Sequence, residues 1–413
     1  MRIAQFALLL VVVLDTMGQG LVLPLVTTLI LSKEQGILPT ETTQAMRELD
    51  FGIAIGVFYF AWFLGAAYIS KLSDSIGRKN GILICLAGGF GGYALTIVAL
   101  YTNSFLLLVI GRAISGFTAG NQPIAQAALV DMSRSEEEKT RYMGLVIMAL
   151  SIGLVIGPIL GGVLSDSSLI GDIASLKLPF YVAAVLVLAN AILILFFFRD
   201  TDVERQPLRV NPIDAFLILW QACSRPLVVK VGLVFFFSQL CLNAVYVFMD
   251  SYFFDLFNFG TLENSIAMVI LGASLGLAGA FLMGPISARY GRKTVVIGAL
   301  VVMILAEVGL LFNDSPWLAY VLIIPLFAGF AINYATMLTL FSTSVGASEQ
   351  GWVMGVSISL FTLGTGTISV VGGSLMAINI HLIFVVAIAA GIVAIALIML
   401  LWRRDVMAKL DPR

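Results

Sequence analysis

A chain of 413 residues that is 60% hydrophobic and 11% charged, with mean hydropathy +1.03, is too apolar for a water-soluble domain and reads as a polytopic membrane protein. Its net charge of −1 gives no basic excess to attract nucleic acid, and one His with three Cys leaves little for metal or thiol chemistry. Cys85 and Cys241 fall in apolar runs and Cys223 in a linker, as small hydrophobes rather than disulfide partners.

A helix that crosses a bilayer needs about 20 mostly apolar residues. That rule predicts an all-α membrane protein of twelve spans, over 4–31, 51–72, 80–101, 104–131, 139–165, 178–198, 227–256, 263–288, 293–312, 316–345, 350–378 and 380–402. The opening MRIAQFALLLVVVLD has the look of a signal peptide, but no small-residue cleavage site follows and apolar sequence continues to Leu31, so an uncleaved first span is expected. Short strands of alternating polarity are not visible, which argues against a membrane barrel.

Most of the 23 Lys and Arg fall on one side. With both termini cytoplasmic, the inner side holds Arg2, Lys71, Arg78, Lys79, Arg134, Lys139, Arg141, Arg199, Arg205, Arg209, Arg225, Lys230, Arg289, Arg292, Lys293, Arg403, Arg404, Lys409 and Arg413. Lys33, Arg47 and Lys177 fall outside, and Arg112 within a span. The positive-inside rule therefore puts both ends in the cytoplasm.

Two stretches recur. GAAYISKLSDSIGRK (Gly65 to Lys79) matches GAFLMGPISARYGRK (Gly279 to Lys293), 214 residues on, and the stretch from Tyr142 to Gly162 matches that from Val353 to Gly373, 211 residues on. Similar offsets in the same order predict two six-helix pseudo-repeats. The expected domains are 1–198, a linker 199–226 and 227–413. Within the linker, Asp214 to Cys223 is apolar but too short to span, so it is expected as a helix lying in the inner interface or as a surface loop.

Arg112 is costly inside a bilayer, by at least ~2.5–3.5 kcal/mol, and should face an acid or a cavity. Counting rise along the helices puts Asp15 at a similar depth, either as a fixed neutralising pair or as a proton-coupling pair that changes partner. Gln19, Gln122 and Gln126 suit the lining of a substrate cavity in the first half, and Gln239, Asn243, Tyr246, Asn333 and Tyr334 its continuation in the second. Phe235, Phe236 and Phe237 are expected at lipid or as part of a polar-aromatic wall beside those residues. Glu307 is a second buried acid, for proton coupling or for helix packing, while Asp250 and Asp255 are expected to be solvated. Gly153, Gly157, Gly161 and Gly162, with Pro158, let span five approach another helix closely and bend, which fits a rocking interface or ordinary packing. His381, the sole His, lies in an outer turn, and no catalytic constellation accompanies it.

Twelve spans, the six-plus-six repeat and the turn after span two together resemble the major facilitator superfamily. The turn matches at Asp74, Gly77, Arg78 and Lys79, with Ser70 and Ser75 departing from the family pattern. GRAISGFTAG (Gly111 to Gly120) resembles the fourth-helix motif, GLVIGPILGG (Gly153 to Gly162) the fifth-helix antiporter pattern, and LDTMGQGLVLPL (Leu14 to Leu25) the first helix of tetracycline and multidrug antiporters. Where tetracycline antiporters carry a ninth-helix Asp this chain has Met303, and span eight has no His.

The resemblance implies a secondary transporter of the drug:proton antiporter branch that exports a small amphiphilic compound by alternating access, with metabolite uptake or lipid-linked transport as the alternative. The proton gradient would supply the energy without a cofactor, and the partners would be substrate, protons and lipids, with no nucleic acid. A monomer in a bacterial cytoplasmic (inner) membrane is expected. The resemblance also implies a latch in which Arg78 pairs with Asp131 while Asp74 faces the N-terminus of span eleven, with Gly77 at the turn. The second copy has Ala288 in place of Asp74.

Overall fold

The computed structural model describes residues 2–133, 135–200, 211, 213–346 and 349–411. Arg134, Arg205, Arg209 and Arg413, and the side chains of Arg2, Ser70 and Lys139, lie outside the described set. The described residues are helical, with no strand among them. Along the first half run α1 (Arg2–Leu31), α2 (Gln44–Ile76), α3 (Arg78–Thr102), α4 (Phe105–Phe117), α5 (Asn121–Asp131), α6 (Glu136–Ser165), the single turn α7 (Ser167–Ile170) and α8 (Leu178–Phe197). The expected interfacial segment is a helix, α9 (Asp214–Cys223). Then follow α10 (Pro226–Phe257), α11 (Thr261–Leu277), which runs through a π-helical turn (Ala278–Leu282) into α12 (Met283–Arg289), and α13 (Arg292–Leu311), α14 (Pro316–Thr343), α15 (Gln350–Ile378), α16 (Leu382–Leu401) and α17 (Arg404–Leu410).

Eleven helices among the described residues are long and apolar enough to cross a membrane. The remaining span of the twelve, the fourth, is broken. α4 stops at Phe117, where the Thr118 hydroxyl bonds back to the Ile114 carbonyl (2.8 Å), and α5 restarts with Pro123 in its first turn, where a missing N–H costs little. The Arg112 motif thus ends in a break within the fourth apolar stretch.

By contact the chain divides into two compact units, Met1–Asp214 with Phe259–Val269, and Ala215–Asn258 with Ile270–Arg413. In the first, α1 packs on α6 and α8, and α3 on α4 and α8; in the second, α10 packs on α15 and α16, and α13 on α14 and α16. The packing repeats as the sequence does. The first turns of α11 count with the first unit, where Thr261 and Thr28 hydroxyls meet at 2.8 Å.

Each unit closes its repeated turn in the same way. Gly77 has φ +99°, a conformation natural to glycine, and a side chain there would strike the Asp200 carboxylate. Asp200 Oδ1 accepts from the Lys79 amide (2.7 Å) at the start of α3, and Lys79 Nζ donates to Leu195 O (2.7 Å) at the end of α8. In the second unit, Asp411 Oδ2 accepts from the Arg292 amide (2.8 Å) at the start of α13, and Lys293 Nζ donates to Trp402 O (2.9 Å). Asp411 stands 211 residues after Asp200. A carboxylate on the free amides of a helix start satisfies donors that have no partner within the helix and matches the helix dipole. Asp200→Ala and Asp411→Ala should each cost about 1 kcal/mol, in the range of lost N-caps, read as a lower thermal midpoint in detergent. An unchanged midpoint would remove them from the fold's support.

Arg47 is not an outer loop charge. It is fully buried, and its guanidinium gathers the carbonyls of Ile30 (2.7 Å), Ser32 (3.2 Å), Leu38 (3.5 Å), Pro39 (2.7 Å) and Thr42 (3.3 Å), which cap the end of α1 and hold the α1–α2 connection.

Candidate functional site

The glycines of α6 locate the chemistry of α1. A side-chain carbon at Gly153 would strike Val13 O and the Thr16 hydroxyl, one at Gly157 would strike Met17 O, and one at Gly20 would sit 2.8 Å from the Pro158 ring. The helices touch backbone to backbone along the face that carries residues 13, 16, 17, 20 and 21. These glycines therefore serve packing within the first unit. Gly161 makes only ordinary contact, at 3.5 Å from Leu21 O, and Gly162 meets Ser265 of the same unit.

At 100° per residue, Asp15 and Gln19 project from the opposite side of α1. Both are half-buried, as are Gln122 and Gln126 on α5, which packs on α1. Between Asp15 and Gln19 in sequence, Gly18 receives the Tyr93 hydroxyl of α3, so close that any larger residue would displace it. One acid and three amides thus line neighbouring helices of one unit, each partly open.

The Asp15–Arg112 ion pair does not form. Arg112 lies on α4, which packs on α2 and α3; its guanidinium stacks over the Phe58 ring at 4.3 Å from the centroid, and its Nε donates to Ala54 O at 3.4 Å. Counting rise along the helices gives no information on which way each side chain faces around its helix. α4 is drawn to α2 by Gly65 and Gly116, whose missing side chains admit the Phe117 and Phe58 carbonyls. Phe58 gives the cation an aromatic face, a contact with no linear sequence pattern.

In the second unit Gln239, Asn243 and Asn333 are buried, while Tyr246 and Tyr334 are half-buried. Asn243 Nδ2 donates to Gln239 Oε1 at 3.4 Å. Gln239 Nε2 and both polar atoms of Asn333 have no hydrogen-bond partner. Such buried amides are expensive unless something else satisfies them. Aromatic rings flank them: Phe235 meets Tyr334 (6.0 Å) and Phe341 (5.3 Å), and Tyr246 meets Phe327 (6.3 Å). Phe235 is thus core rather than lipid-facing, and Phe236 packs on Gly364. Asp250, expected to be solvated, is only 1% exposed, because the outer turns of α10 carry the core residues Tyr252 and Phe253.

Glu307 is also fully buried, with the Cys241 thiol donating to it at 3.3 Å. Cys241 lies on a different face of α10 from Gln239 and Asn243, so Glu307 stands apart from the amide stripe. Glu307→Gln should express normally and leave the pH profile of transport unchanged. A shifted profile would assign Glu307 to coupling.

At the end of α2, Arg78 forms ion pairs with Asp74, one helical turn away, and with Asp131 at the end of α5 (3.4 Å). The second contact is the one the resemblance implies. Three charges thereby tie α2, α3 and α5 at one end of the first unit.

The chain matches the model of the Major Facilitator Superfamily over residues 8–279 and 273–412. It is 28% identical to the class C tetracycline resistance protein of Escherichia coli over 364 residues, covering 87% of this chain and 86% of that protein. It is 21% identical to the quinolone resistance protein NorA of Staphylococcus aureus over 402 residues, covering 96% and 95%. Among solved structures it resembles the human organic anion transporter MFSD10 (TETRAN), with TM-score 0.71, 20% identity and coverage of 96% and 99%. It also resembles a bacterial homologue of the human lysosomal transporter Spinster, with TM-score 0.73, 15% identity and coverage of 97% and 96%. Duplicated packing, a broken fourth span and a family match across both halves lead to one conclusion: this integral membrane protein is a transporter, not an enzyme, and belongs to the Major Facilitator Superfamily.

Proposed function

We propose that the protein is a proton-coupled antiporter that exports a small amphiphilic compound by alternating access, as a monomer in the bacterial cytoplasmic membrane with both termini inside. The observation that carries this reading is Asp15: a half-buried acid midway along α1, on the side away from α6, in company with Gln19, Gln122 and Gln126. An ionisable group placed so deep is costly unless it is used, and a carboxyl can bind and release one proton per cycle. Relatives named for tetracycline and quinolone resistance cover most of the chain and support drug efflux as the direction.

Gln239, Asn243, Tyr246, Asn333 and Tyr334 would offer the ligand neutral hydrogen bonds beside aromatic faces. Arg112 would hold α4 against α2 within the first unit instead of neutralising Asp15. Asp74, Gly77, Arg78 and Asp131 would act as a latch that biases the transport cycle.

The test is purified protein in proteoliposomes under an imposed pH gradient, with lipophilic cations, neutral drugs and anionic metabolites as the panel. Accumulation of an amphiphile that collapses with the gradient is expected. Transport of a metabolite with no response to the gradient would overturn the reading.

A further inference from the structure

The two repeats use one glycine differently. In the first unit Gly65 of α2 is pressed against the Phe117 backbone of α4, where any side chain would strike the carbonyl, and the two helices meet without a gap. Gly279, 214 residues on, has nothing within 4 Å of the place its side chain would take. It lies in the π-helical turn Ala278–Leu282, where the chain winds more widely than an α-helix.

At this point a groove of about 530 Å³ opens between α11 with its π-helical turn and α14, all of it within the second unit. It runs from Ile270 to Leu282, about 18 Å by helical rise. Ala273, Ala278 and Ala328 leave the space, and Phe281 and Ile324 are its most open walls, 68% and 49% exposed. The one polar side chain that lines it, Ser274, already donates to Ile270 O at 2.7 Å. Such a groove offers a ligand hydrocarbon contact and no hydrogen bond.

A cation stands at a matching distance. Arg289 follows Leu282 by seven residues, two turns along the same side of the helix, and it is exposed, with Tyr290 beside it also exposed. Arg292 and Lys293 of the same turn are engaged by Asp411 and by the Trp402 carbonyl. By helical rise Arg289 is about 10 Å from Leu282 and about 18 Å from Leu277 in the middle of the groove. Half a bilayer with its headgroups is about 20–22 Å thick.

We propose that the groove between α11 and α14 is a binding site for one acyl chain of an anionic phospholipid, with Arg289 holding the phosphate. Lipid is the occupant because both walls are membrane spans, Thr261–Arg289 and Pro316–Thr343, because the lining is apolar, and because the exposed cation lies one leaflet's reach from the groove. A guanidinium meets a phosphate through paired, charge-assisted hydrogen bonds, and basic residues at the ends of spans attract anionic headgroups. The corresponding place in the first unit is closed by the backbone contacts of Gly65 and Gly116.

The test uses the full chain in phosphatidylethanolamine–phosphatidylglycerol vesicles with a trace of phosphatidylglycerol that carries a diazirine midway along one acyl chain. After photolysis, cross-linked peptides are located by mass spectrometry. Labelling of residues 270–282 and 324–328 is expected several-fold above that of other exposed apolar residues such as Phe196 and Leu305. Unlabelled phosphatidylglycerol should displace it, and phosphatidylcholine much less. Ala273→Phe, which fills the groove, and Arg289→Gln, at an exposed position that leaves the packing intact, should each lower it several-fold. Even labelling of all exposed apolar residues would reduce the groove to ordinary bilayer contact and overturn the proposal. Displacement by a lipophilic cation but not by phosphatidylglycerol would make the groove a drug subsite, which overturns it equally. Undiminished labelling in Arg289→Gln, or equal displacement by phosphatidylcholine, would overturn the assignment of the phosphate to Arg289.

Discussion

Asp15→Asn is expected to abolish substrate accumulation driven by a pH gradient while leaving expression, membrane insertion and downhill substrate exchange in place. The amide matches the carboxyl in size and keeps its hydrogen-bonding reach, so the backbone contacts of α1 with Gly153 and Gly157 should survive. What is lost is a proton that can be taken up and released. Because Asp15 makes no ion pair with Arg112, the substitution leaves no buried cation stranded, and Arg112 keeps its Phe58 ring and the Ala54 carbonyl. The defect should therefore appear as uncoupling rather than misfolding. Counterflow of labelled substrate without a gradient separates the two. Full gradient-driven accumulation by the variant would remove Asp15 from the coupling step, and loss of counterflow together with accumulation would make it a binding or folding residue instead.

Arg47→Ala should bring the largest loss of stability. Each carbonyl left buried without a donor costs roughly 1–3 kcal/mol, so two that water fails to reach would remove roughly 2–6 kcal/mol. That is a large share of a margin of about 5–15 kcal/mol. The Ile30 and Pro39 carbonyls, each 2.7 Å from the guanidinium, are the ones most exposed to this loss. Arg47→Lys should recover only part of it, because one ammonium cannot reproduce a planar fork that spans five acceptors. The measurements are the yield of monodisperse protein in detergent and its thermal midpoint. A midpoint for Arg47→Ala within a degree or two of the parent would show that water replaces the side chain in that connection.

Most of the architecture was legible in the sequence, since span length, hydropathy and the two repeated stretches all depend on composition along a line. The break in the fourth span was not foreseen, although Thr118, Gly120 and Pro123 were its visible signals. Contacts that depend on the rotation of one helix against another were the least accessible. Asp15 and Arg112 lie on helices with different neighbours, and Arg47 looked like a loop charge because its partners are backbone carbonyls, which sequence does not display. Asp200 and Asp411 could have been found: their 211-residue separation matches that of the second repeat, but an acid just past a span is easily taken for solvated. The polar and aromatic residues of α10 and α14 stand out in the sequence by type, yet the burial of Gln239 and Asn333 depends on packing alone.

The Asp200 and Asp411 contacts also bear on how the protein is made. The amide of Lys79 is translated 121 residues before the carboxylate that satisfies it, and that of Arg292 119 residues before its own. At about 5–20 residues per second, each turn waits roughly 6–24 s on the ribosome for its partner. Neither half can close on itself until its sixth span has been delivered to the bilayer. A pause or truncation just before residue 200 or residue 411 would therefore leave all spans of that half inserted but its repeated turn without the carboxylate that caps it, a loss of about 1 kcal/mol.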